Sequence, residues 1–265
     1  MTILNRNEIK EKLGDSIIIH PYDEKYLKGI GYNFRAGPLA WSVNSKKPLP
    51  VVEKDGTKFY IVSANDVALV MTREIISVDE TIAGTFHSKV DKVSIGFSHV
   101  STTLDPGWIG PLLISIANNK NKDLLLRIDD TFITLIFYDI KSTEYTHHNP
   151  GGRTDIIQKL GLEVTDLENK WLYKEWRTSK KGLKKKYDNN IADDDTEELI
   201  LSKLREINTK KIKKSKLFKY ILPPVTILVF GLVGFWVFGN KPGFIASVAT
   251  GVAISQFVSQ YLSKQ

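Results

Sequence analysis

A short basic stretch carries side chains that could bind phosphate. Ser88, Lys89 and Lys92 lie close together in the chain. Their hydroxyl and ammonium groups are hydrogen-bond donors suited to phosphate oxygens. Each lysine acts as a point charge, without the two-pronged geometry of arginine. The alternative interpretation is the solvated basic end of a strand, so the stretch indicates either an anion site or an ordinary polar surface.

Other polar residues are weaker candidates for a catalytic or ligand-binding role. Asp105 precedes Pro106-Gly107, which is a common turn sequence. His147 and His148 have no acidic or histidine partner at the spacing of a metal site. The backbone amides of residues 150–153 could cradle a phosphate, although a turn leading into a helix is the simpler interpretation. The chain has no cysteine, which excludes disulfides, iron–sulfur clusters and thiolate zinc sites.

Short strands are the elements expected to position these residues. Between about residues 17 and 140, apolar or alternating runs are separated by turn residues, a pattern typical of an all-β barrel or sandwich. The runs cover Lys58–Met71, Val93–His99, Pro111–Ala117 and Leu124–Ile140. Turn signals lie at 54–56, 105–107 and 118–121. We place this β domain at residues 1–145.

Helical periodicity begins after the β domain. Apolar residues three and four apart predict a coiled-coil seam of about two heptads, and they are Ile157, Leu160, Val164, Leu167 and Trp171. An amphipathic helix packed on its own β domain fits the same spacing equally well. Residues 180–190, rich in lysine and asparagine, predict a linker, and the acidic residues 193–198 predict the start of another helix. We assign residues 146–216 to a helical, partly coiled-coil basic stalk and linker.

Two uncharged segments, 220–238 and 243–262, predict a transmembrane hairpin within residues 217–265. Each is near the roughly 20 residues that cross the hydrocarbon layer. A cluster of lysines precedes the first segment, namely Lys210, Lys211, Lys213, Lys214, Lys216 and Lys219. The positive-inside rule then predicts a multi-pass membrane location with the N-terminal domain and the C-terminus in the cytoplasm. Lysines beside the bilayer can contact anionic lipid, which argues against nucleic acid as a partner.

Small residues recur at every fourth position of the second segment. They form a ridge along one helix face that lets another helix approach closely. Contact with the first segment of the same hairpin and contact between subunits are equal alternatives.

Residues 18–137 resemble the dCTP deaminase and dUTPase superfamily. Ile18–Gly37 is similar to the family opening, and Phe86–Ser94 stands where deaminases carry a glycine-arginine-serine-serine motif followed by leucine-x-arginine. Leu104–Gly110 (LDPGWIG) is the most specific match. The match continues through Asn118, Arg127 and Ile136-Phe137. The resemblance implies a distorted jelly-roll barrel that forms a homotrimer with active sites between subunits.

The resemblance also implies roles for single residues. Asp105 matches the aspartate that orients water in dUTPases, and Trp108 matches the aromatic residue that stacks under deoxyribose. The residues expected to bind nucleotide are Ser88, Lys89, Lys92, Trp108, Asn118 and Arg127. A deoxynucleotide or related nucleotide is therefore the expected ligand. No cofactor is required, although Mg²⁺ could accompany the nucleotide phosphates.

The chain departs from the family where catalysis is concerned. Ser115 stands at the position of the glutamate that shuttles protons in dCTP deaminases, and a serine hydroxyl has no useful proton affinity near pH 7. Asn33 replaces an aspartate that could help to hold hydrated magnesium, and His87 replaces the motif arginine. The motifs that close over phosphate in these families are absent from the sequence.

These departures predict a membrane-anchored nucleotide-binding domain that acts as a sensor with weakened or absent catalysis. The alternative is an active nucleotide enzyme, either a dCTP deaminase or a dUTPase-type pyrophosphatase. Whether the chain is an enzyme therefore depends on how Ser115 and its surroundings are arranged.

Overall fold

The computed structural model describes residues 1–141, 151–191 and 199–203, together with the single positions 236, 249, 250, 252 and 253. The chain separates into two compact units, Met1–Arg205 and Glu206–Gln265. All features given below belong to the first unit. The predicted boundaries near residues 145 and 216 remain predictions.

The first unit is mainly β. Its strands, in chain order, are β1 (Thr2–Ile3), β2 (Ile17–His20), β3 (Gly31–Ser42), β4 (Val51–Lys54), β5 (Thr57–Val62), β6 (Val67–Val78), β7 (Ile82–Ser88), β8 (Phe97–Ser98), β9 (Thr103–Leu104), β10 (Ile109–Asn118), β11 (Leu124–Arg127) and β12 (Thr131–Asp139). Alternating apolar side chains fill the interior, where Tyr32, Phe34, Trp41 and Phe137 are fully buried. The predicted mainly-β class is confirmed.

Nine strands form one antiparallel sheet in the order β8-β10-β6-β3-β12-β7-β9, with β1 added to β12 and β2 added to β6. A second sheet has the order β11-β5-β4. The large sheet curls because its long strands change partners along their length. The first half of β3 pairs with β12 and its second half pairs with β6. Register shifts at Ala36–Ala40 and at Pro111–Leu113 add to the bend.

The predicted turns form where their residues permit a left-handed backbone. Asp55 (φ 49°) and Gly56 (φ 71°) join β4 to β5. Gly107 (φ 74°) completes the turn between β9 and β10.

The strand predicted at residues 93–99 is wrong, because residues 93–95 belong to a short helix and only β8 is extended. The helix is α2 (Val90–Ile95), and it ends at Gly96 in the left-handed conformation. Val93 and Ile95 are about half exposed, so their apolar character does not reflect burial in a sheet.

Further short helices lie between β1 and β2 and after β12. They are α1 (Arg6–Lys12), α3 (Thr154–Lys159), α4 (Asp166–Leu172), α5 (Glu175–Thr178) and α6 (Lys180–Asp188). α5 packs on β10, and α6 packs on β2 and β6. Ile157, Trp171 and Leu183 are the buried anchors of these helices.

The predicted coiled coil and linker both require correction. Gly161, at φ 63°, lies between α3 and α4, so the predicted seam is broken into short helices. These pack on the β domain, as the alternative interpretation predicted. The predicted linker at 180–190 is largely the helix α6. Leu183 of this helix is fully buried, whereas most of its lysines are exposed. The predicted helix start at 193–198 lies outside the described residues.

The predicted multi-pass membrane location is contradicted, because no helix among the described residues is long and apolar enough to span a bilayer. A crossing needs about 20 residues of helix, whereas α6, the longest helix given above, has nine. The predicted membrane partner loses its support for the same reason. Segments 220–238 and 243–262 lie almost wholly outside the described residues, as do the lysine cluster and the ridge of small residues.

Candidate functional site

The residues of the basic stretch, Ser88, Lys89 and Lys92, lie where the chain begins to cross between the two flanks of the large sheet. From β7, on one flank, the chain runs through α2 to β8, on the other flank, and it returns to β9. The amide N–H of Phe86 donates to the carbonyl oxygen of Thr102 (2.9 Å), and the Ser101 hydroxyl donates to the carbonyl oxygen of Phe86 (2.8 Å). The crossing therefore brings the end of β7 toward β10, although these strands are not neighbours in the sheet.

Ser88 and Lys89 lie at the junction of β7 and α2. Both are partly exposed. The Lys89 carbonyl oxygen accepts hydrogen bonds from the amides of Lys92 (3.1 Å) and Val93 (3.0 Å), and its side chain does not cap the helix. Both residues therefore lie at a partly accessible surface, and their part in phosphate binding remains a prediction.

Lys92 is less accessible and is already engaged. Its Nζ lies 2.9 Å from Oδ2 of Asp130 and 3.0 Å from Oδ2 of Asp91. The side chain is only 14% exposed. Lys92 thus ties α2 to the turn before β12, and binding a phosphate would require it to exchange one of these partners.

Ser115 lies in β10 opposite Leu69 of β6, and it is exposed. Its carbonyl oxygen lies 2.9 Å from Nδ1 of His99. A carbonyl can only accept a hydrogen bond, so Nδ1 carries the proton in this contact, and Nε2 of the neutral ring is an acceptor. The Nε2 atom is buried and has no hydrogen-bond partner among the described residues.

The His99 imidazole thus lies against the backbone carbonyl of the residue that stands at the position of the family glutamate. Sequence reasoning missed it because no motif marks it. The only sequence feature that could have indicated His99 is its position in the chain between the basic stretch and the Asp105 turn. The strand pattern predicted only an extended segment there.

Asp105 lies partly exposed in the turn that precedes β10. The Thr103 hydroxyl is 3.3 Å from its Oδ1, and the Gly107 amide donates to the carbonyl oxygen of Asp79 (3.1 Å). The turn is therefore fixed by its neighbours through backbone contacts. The carboxylate of Asp105 retains enough exposure to meet water or a sugar hydroxyl.

Trp108 is not available as a stacking surface within the chain. It is 5% exposed and belongs to the main hydrophobic core. Its indole N–H donates to the carbonyl oxygen of Gly110 (3.1 Å). The ring therefore packs in the core of the single chain, and its predicted contact with deoxyribose remains a prediction.

Asn118 is a structural clamp. Its Nδ2 lies 2.9–3.0 Å from the carbonyl oxygens of Val62, Ser63 and Lys122, and its Oδ1 accepts from the Lys120 amide (2.9 Å). The side chain is 1% exposed. Both ends of the amide are used to join β10 to the neighbouring loops, and its predicted part in nucleotide binding remains a prediction.

Arg127 lies apart from the other candidates. It is exposed at the end of β11, opposite Phe59, in the smaller sheet. No contact of the described residues connects it to α2 or to Ser115. Its predicted part in nucleotide binding remains a prediction.

The two altered motif residues belong to a polar layer on β3, β7 and β12. The Thr134 hydroxyl donates to Oδ1 of the buried Asn33 (2.8 Å). The Thr85 hydroxyl lies 3.0 Å from Nε2 of His87 and 2.8 Å from the hydroxyl of Tyr138. Asn33 and His87 thus have hydrogen-bonding roles that need neither a metal nor a phosphate.

The described parts of the chain contain no ready-made metal site. No group of three or more histidine, aspartate or glutamate side chains there could hold an ion. The predicted Mg²⁺ would have to be held mainly by nucleotide phosphates and water. His147 and His148 lie outside the described residues.

Comparison with known proteins identifies the β domain. Residues 3–140, about half of the chain, match the family model described as "dCTP deaminase-like". The dCTP deaminase of Pyrococcus abyssi is 27% identical over 151 residues, which cover 56% of this chain and 95% of that protein. The dUMP-forming dCTP deaminase of Methanopyrus kandleri is 23% identical over 174 residues, covering 58% of this chain and 90% of that protein.

Solved structures show a more distant likeness. The dCTP deaminase of Agrobacterium tumefaciens has a TM-score of 0.40 and 11% identity, covering 59% of this chain and 51% of that chain. The family assignment depends instead on the span of the family model, which runs from β1 to the end of β12. The chain belongs to the dCTP deaminase-like family.

Proposed function

We propose that the β domain binds a deoxynucleoside triphosphate, with dCTP as the first candidate, and that it senses this ligand with little or no turnover. The observation that carries the proposal is Ser115, which is exposed on β10 where deaminases of the family have a proton-shuttling glutamate. Deamination adds water to C4 of cytosine and expels ammonia, so protons must move between water, ring nitrogen and amine. A serine hydroxyl cannot perform that transfer.

The phosphate end of the ligand is assigned to the junction of β7 and α2. The Ser88 hydroxyl and the Lys89 ammonium are the accessible donors there. Lys92 becomes a third donor if a phosphate replaces Asp91 or Asp130 as its partner. Asp105, on the turn before β10, is assigned to a sugar or water contact. These side chains are better suited to binding a nucleotide than to transferring protons.

A site completed by another subunit is consistent with the surface around α2. Four apolar side chains stand exposed there, namely Val90 (82%), Val93 (50%), Ile95 (47%) and Val100 (86%). Exposed apolar groups in such a cluster commonly mark protein interfaces. We therefore propose a homotrimer in which α2 and the crossing meet a neighbouring subunit. Ligand bound between subunits can bias their relative geometry, which is what a sensor requires.

An active enzyme is the second candidate, and the contact between His99 and Ser115 favours it. Imidazole can accept and return a proton near neutral pH. If His99 takes over from the family glutamate, the reaction is the same replacement of the C4 amine by oxygen, with water consumed and ammonia released. Because Nε2 is enclosed within the isolated chain, substrate would have to displace the side chains that cover it.

The deciding experiment incubates the purified chain with dCTP and with dUTP. Binding is measured by calorimetry, and ammonia, dUMP and pyrophosphate are followed over time. The sensor proposal predicts binding with turnover far below about one per second, the lower end of the usual enzymatic range. Turnover at or above that rate would contradict it. Absence of binding at about 1 mM nucleotide, an affinity weaker than about −4 kcal/mol, would contradict both candidates and leave a structural role.

His99→Gln separates the two candidates further. If His99 performs acid–base chemistry, this variant loses turnover and keeps dCTP affinity, because glutamine can maintain a hydrogen bond to Ser115 but cannot take up a proton. A Ser88→Ala/Lys89→Gln variant serves as the binding control and should lose affinity in either case.

A further inference from the structure

A depression beside α6 has the size and the charge of a ligand site. Its volume is about 550 Å³, within the range of small-molecule sites. Its walls include Glu175, Trp176, Ser179, Lys181, Lys185 and Lys186. None of these residues belongs to the candidate site in the β domain. The three ammonium groups outnumber the single carboxylate, so the depression is positively charged.

The helix that carries the lysines is held firmly in place. The Ser179 side chain caps α6 by accepting a hydrogen bond from the Gly182 amide (3.1 Å). Leu183, in the centre of α6, is fully buried, and the helix packs on β2 and β6. The backbone positions of Lys181 and Lys185 are therefore fixed relative to each other and to Trp176.

Lys181 and Lys185 are one helical turn apart and thus neighbours on the helix surface. Neither forms an ion pair with a carboxylate of the described residues. Lys184, by contrast, bonds to the Gly14 carbonyl oxygen and lies 3.6 Å from Oδ1 of Asp188. Two like charges at this spacing repel each other. An anion bound between them would attract both ammonium groups and offset that repulsion.

Trp176 forms an ordered wall of the depression. Its ring has the guanidinium of Arg177 at 4.5 Å and the Nζ of Lys186 at 5.1 Å. The edge of His20 packs against it, with ring centroids 5.6 Å apart. These contacts fix the indole and hold the Lys186 ammonium over its ring, and Lys181 and Lys185 line the same depression.

We propose that this depression binds a small anion carrying several phosphate groups, such as inorganic polyphosphate or the phosphate tail of a nucleotide. Ammonium groups bind phosphate oxygens through charge-assisted hydrogen bonds, and several of them can share one polyphosphate. The Glu175 carboxylate limits the affinity because it repels the bound anion. The site is independent of the proposed function of the β domain, since it shares no residue with it.

The test is calorimetric titration of the whole chain with inorganic tripolyphosphate, orthophosphate and dCTP. The key variant is Lys181→Gln/Lys185→Gln. Its matched control is Lys180→Gln/Lys184→Gln, which removes two charges from the same helix at positions that do not line the depression. Ser88→Ala/Lys89→Gln removes the donors of the β domain and leaves α6 unchanged.

Wild-type chain and the Ser88/Lys89 variant should bind tripolyphosphate with equal affinity. The Lys181/Lys185 variant should bind at least about tenfold more weakly because it loses two charge-assisted bonds, and the Lys180/Lys184 control should change less than about threefold. Glu175→Gln should strengthen binding. In the Ser88/Lys89 variant, tighter binding of dCTP than of tripolyphosphate would identify nucleotide as the ligand source, and the reverse order would identify free polyphosphate.

Three results would overturn the proposal. Equal weakening in both lysine variants would show only diffuse attraction to a basic helix. Loss of tripolyphosphate binding in the Ser88/Lys89 variant would place the anion in the β domain. Absence of binding to wild-type chain at about 10 mM tripolyphosphate would leave a solvated lysine face.

Discussion

The Nζ atom of Lys92 lies 2.9 Å from Oδ2 of Asp130, so the ammonium predicted to meet a phosphate already has a carboxylate partner. Burial lowers the pKa of Lys92, but the hydrogen bonds to Asp130 and Asp91 outweigh burial and raise it above its ordinary value. Lys92 therefore stays charged at neutral pH. It fastens α2 in place and is available to a ligand only through exchange of a partner.

Asp130→Asn should strengthen the binding of dCTP. The variant removes one negative charge next to Lys92, which lowers the cost of turning the ammonium toward a phosphate. We expect a gain of about threefold to tenfold in affinity, together with about 1 kcal/mol loss of stability from the weakened attachment of α2. Calorimetry and urea denaturation measure the two effects. If neither Asp130→Asn nor Lys92→Met alters affinity, Lys92 takes no part in binding the ligand.

Trp108→Phe tests whether this ring packs in the core or selects the sugar. The variant loses the hydrogen bond to Gly110 and some buried volume, so we expect a loss of about 2 kcal/mol in the free energy of unfolding. The ratio of dCTP to CTP affinity should remain unchanged. A changed ratio with unaltered stability would show that the indole contacts the sugar in the assembled protein.

Asn118→Ala should act on stability. The substitution leaves three carbonyl oxygens and the Lys120 amide without their shared partner in a buried position. We expect a loss of about 3 kcal/mol, since unpaired buried polar groups are costly. Asn119→Ala, at the exposed neighbouring position, is the control and should change stability by less than about 1 kcal/mol. Comparable losses in the two variants would contradict the clamp.

Asp79 makes part of the stability depend on pH. Burial alone would raise the pKa of its carboxyl, but hydrogen bonds from the Thr81 and Ser16 side chains and from the Thr81 backbone outweigh it and lower the pKa below the ordinary value of 3.8. A lowered carboxyl pKa stabilises the folded state above the unfolded-state pKa, and this contribution is lost as the pH falls through the folded-state value. Asp79 also accepts the Gly107 amide through its backbone, so it supports the Asp105 turn.

Asp79→Ala should therefore be less stable than wild type by about 1–2 kcal/mol at pH 7, where two hydrogen bonds to Thr81 are lost. The difference should shrink as the pH falls below 3.8, the ordinary value for this carboxyl. Denaturation at a series of pH values measures it. A difference that stays constant into this acid range would rule out the carboxylate as its source.

Local patterns predicted those features that depend on neighbouring residues. The alternation of apolar side chains predicted the mainly-β class, and Asp105-Pro106-Gly107 predicted a turn that forms. The half-exposed Val93 and Ile95 misled the strand prediction, because their hydrophobicity does not reflect burial. The lysine-rich composition of α6 concealed a helix that is anchored by the single buried Leu183.

Roles that depend on tertiary contacts could not be predicted from sequence. The burial of Trp108 is decided by strands distant in the chain. The contact of His99 with Ser115 requires the crossing from β7 to β8, and no sequence motif predicts that crossing. The family resemblance supplied the candidate positions along the chain, but only the three-dimensional contacts show which side chains remain available to a ligand.

Ser115→Glu tests whether the missing glutamate is the main obstacle to catalysis. Ser115 is exposed on β10, so the larger side chain can be accommodated without disturbing the core. If the remainder of a deaminase site is intact, the carboxylate should create or raise ammonia release from dCTP by about 10²-fold or more, the usual contribution of a positioned acid–base group. Ser115→Gln is the matched control, since it has nearly the same shape but cannot exchange a proton. An inert Ser115→Glu variant that still binds dCTP would show that the site has lost more than its acid–base group, which would favour sensing over catalysis.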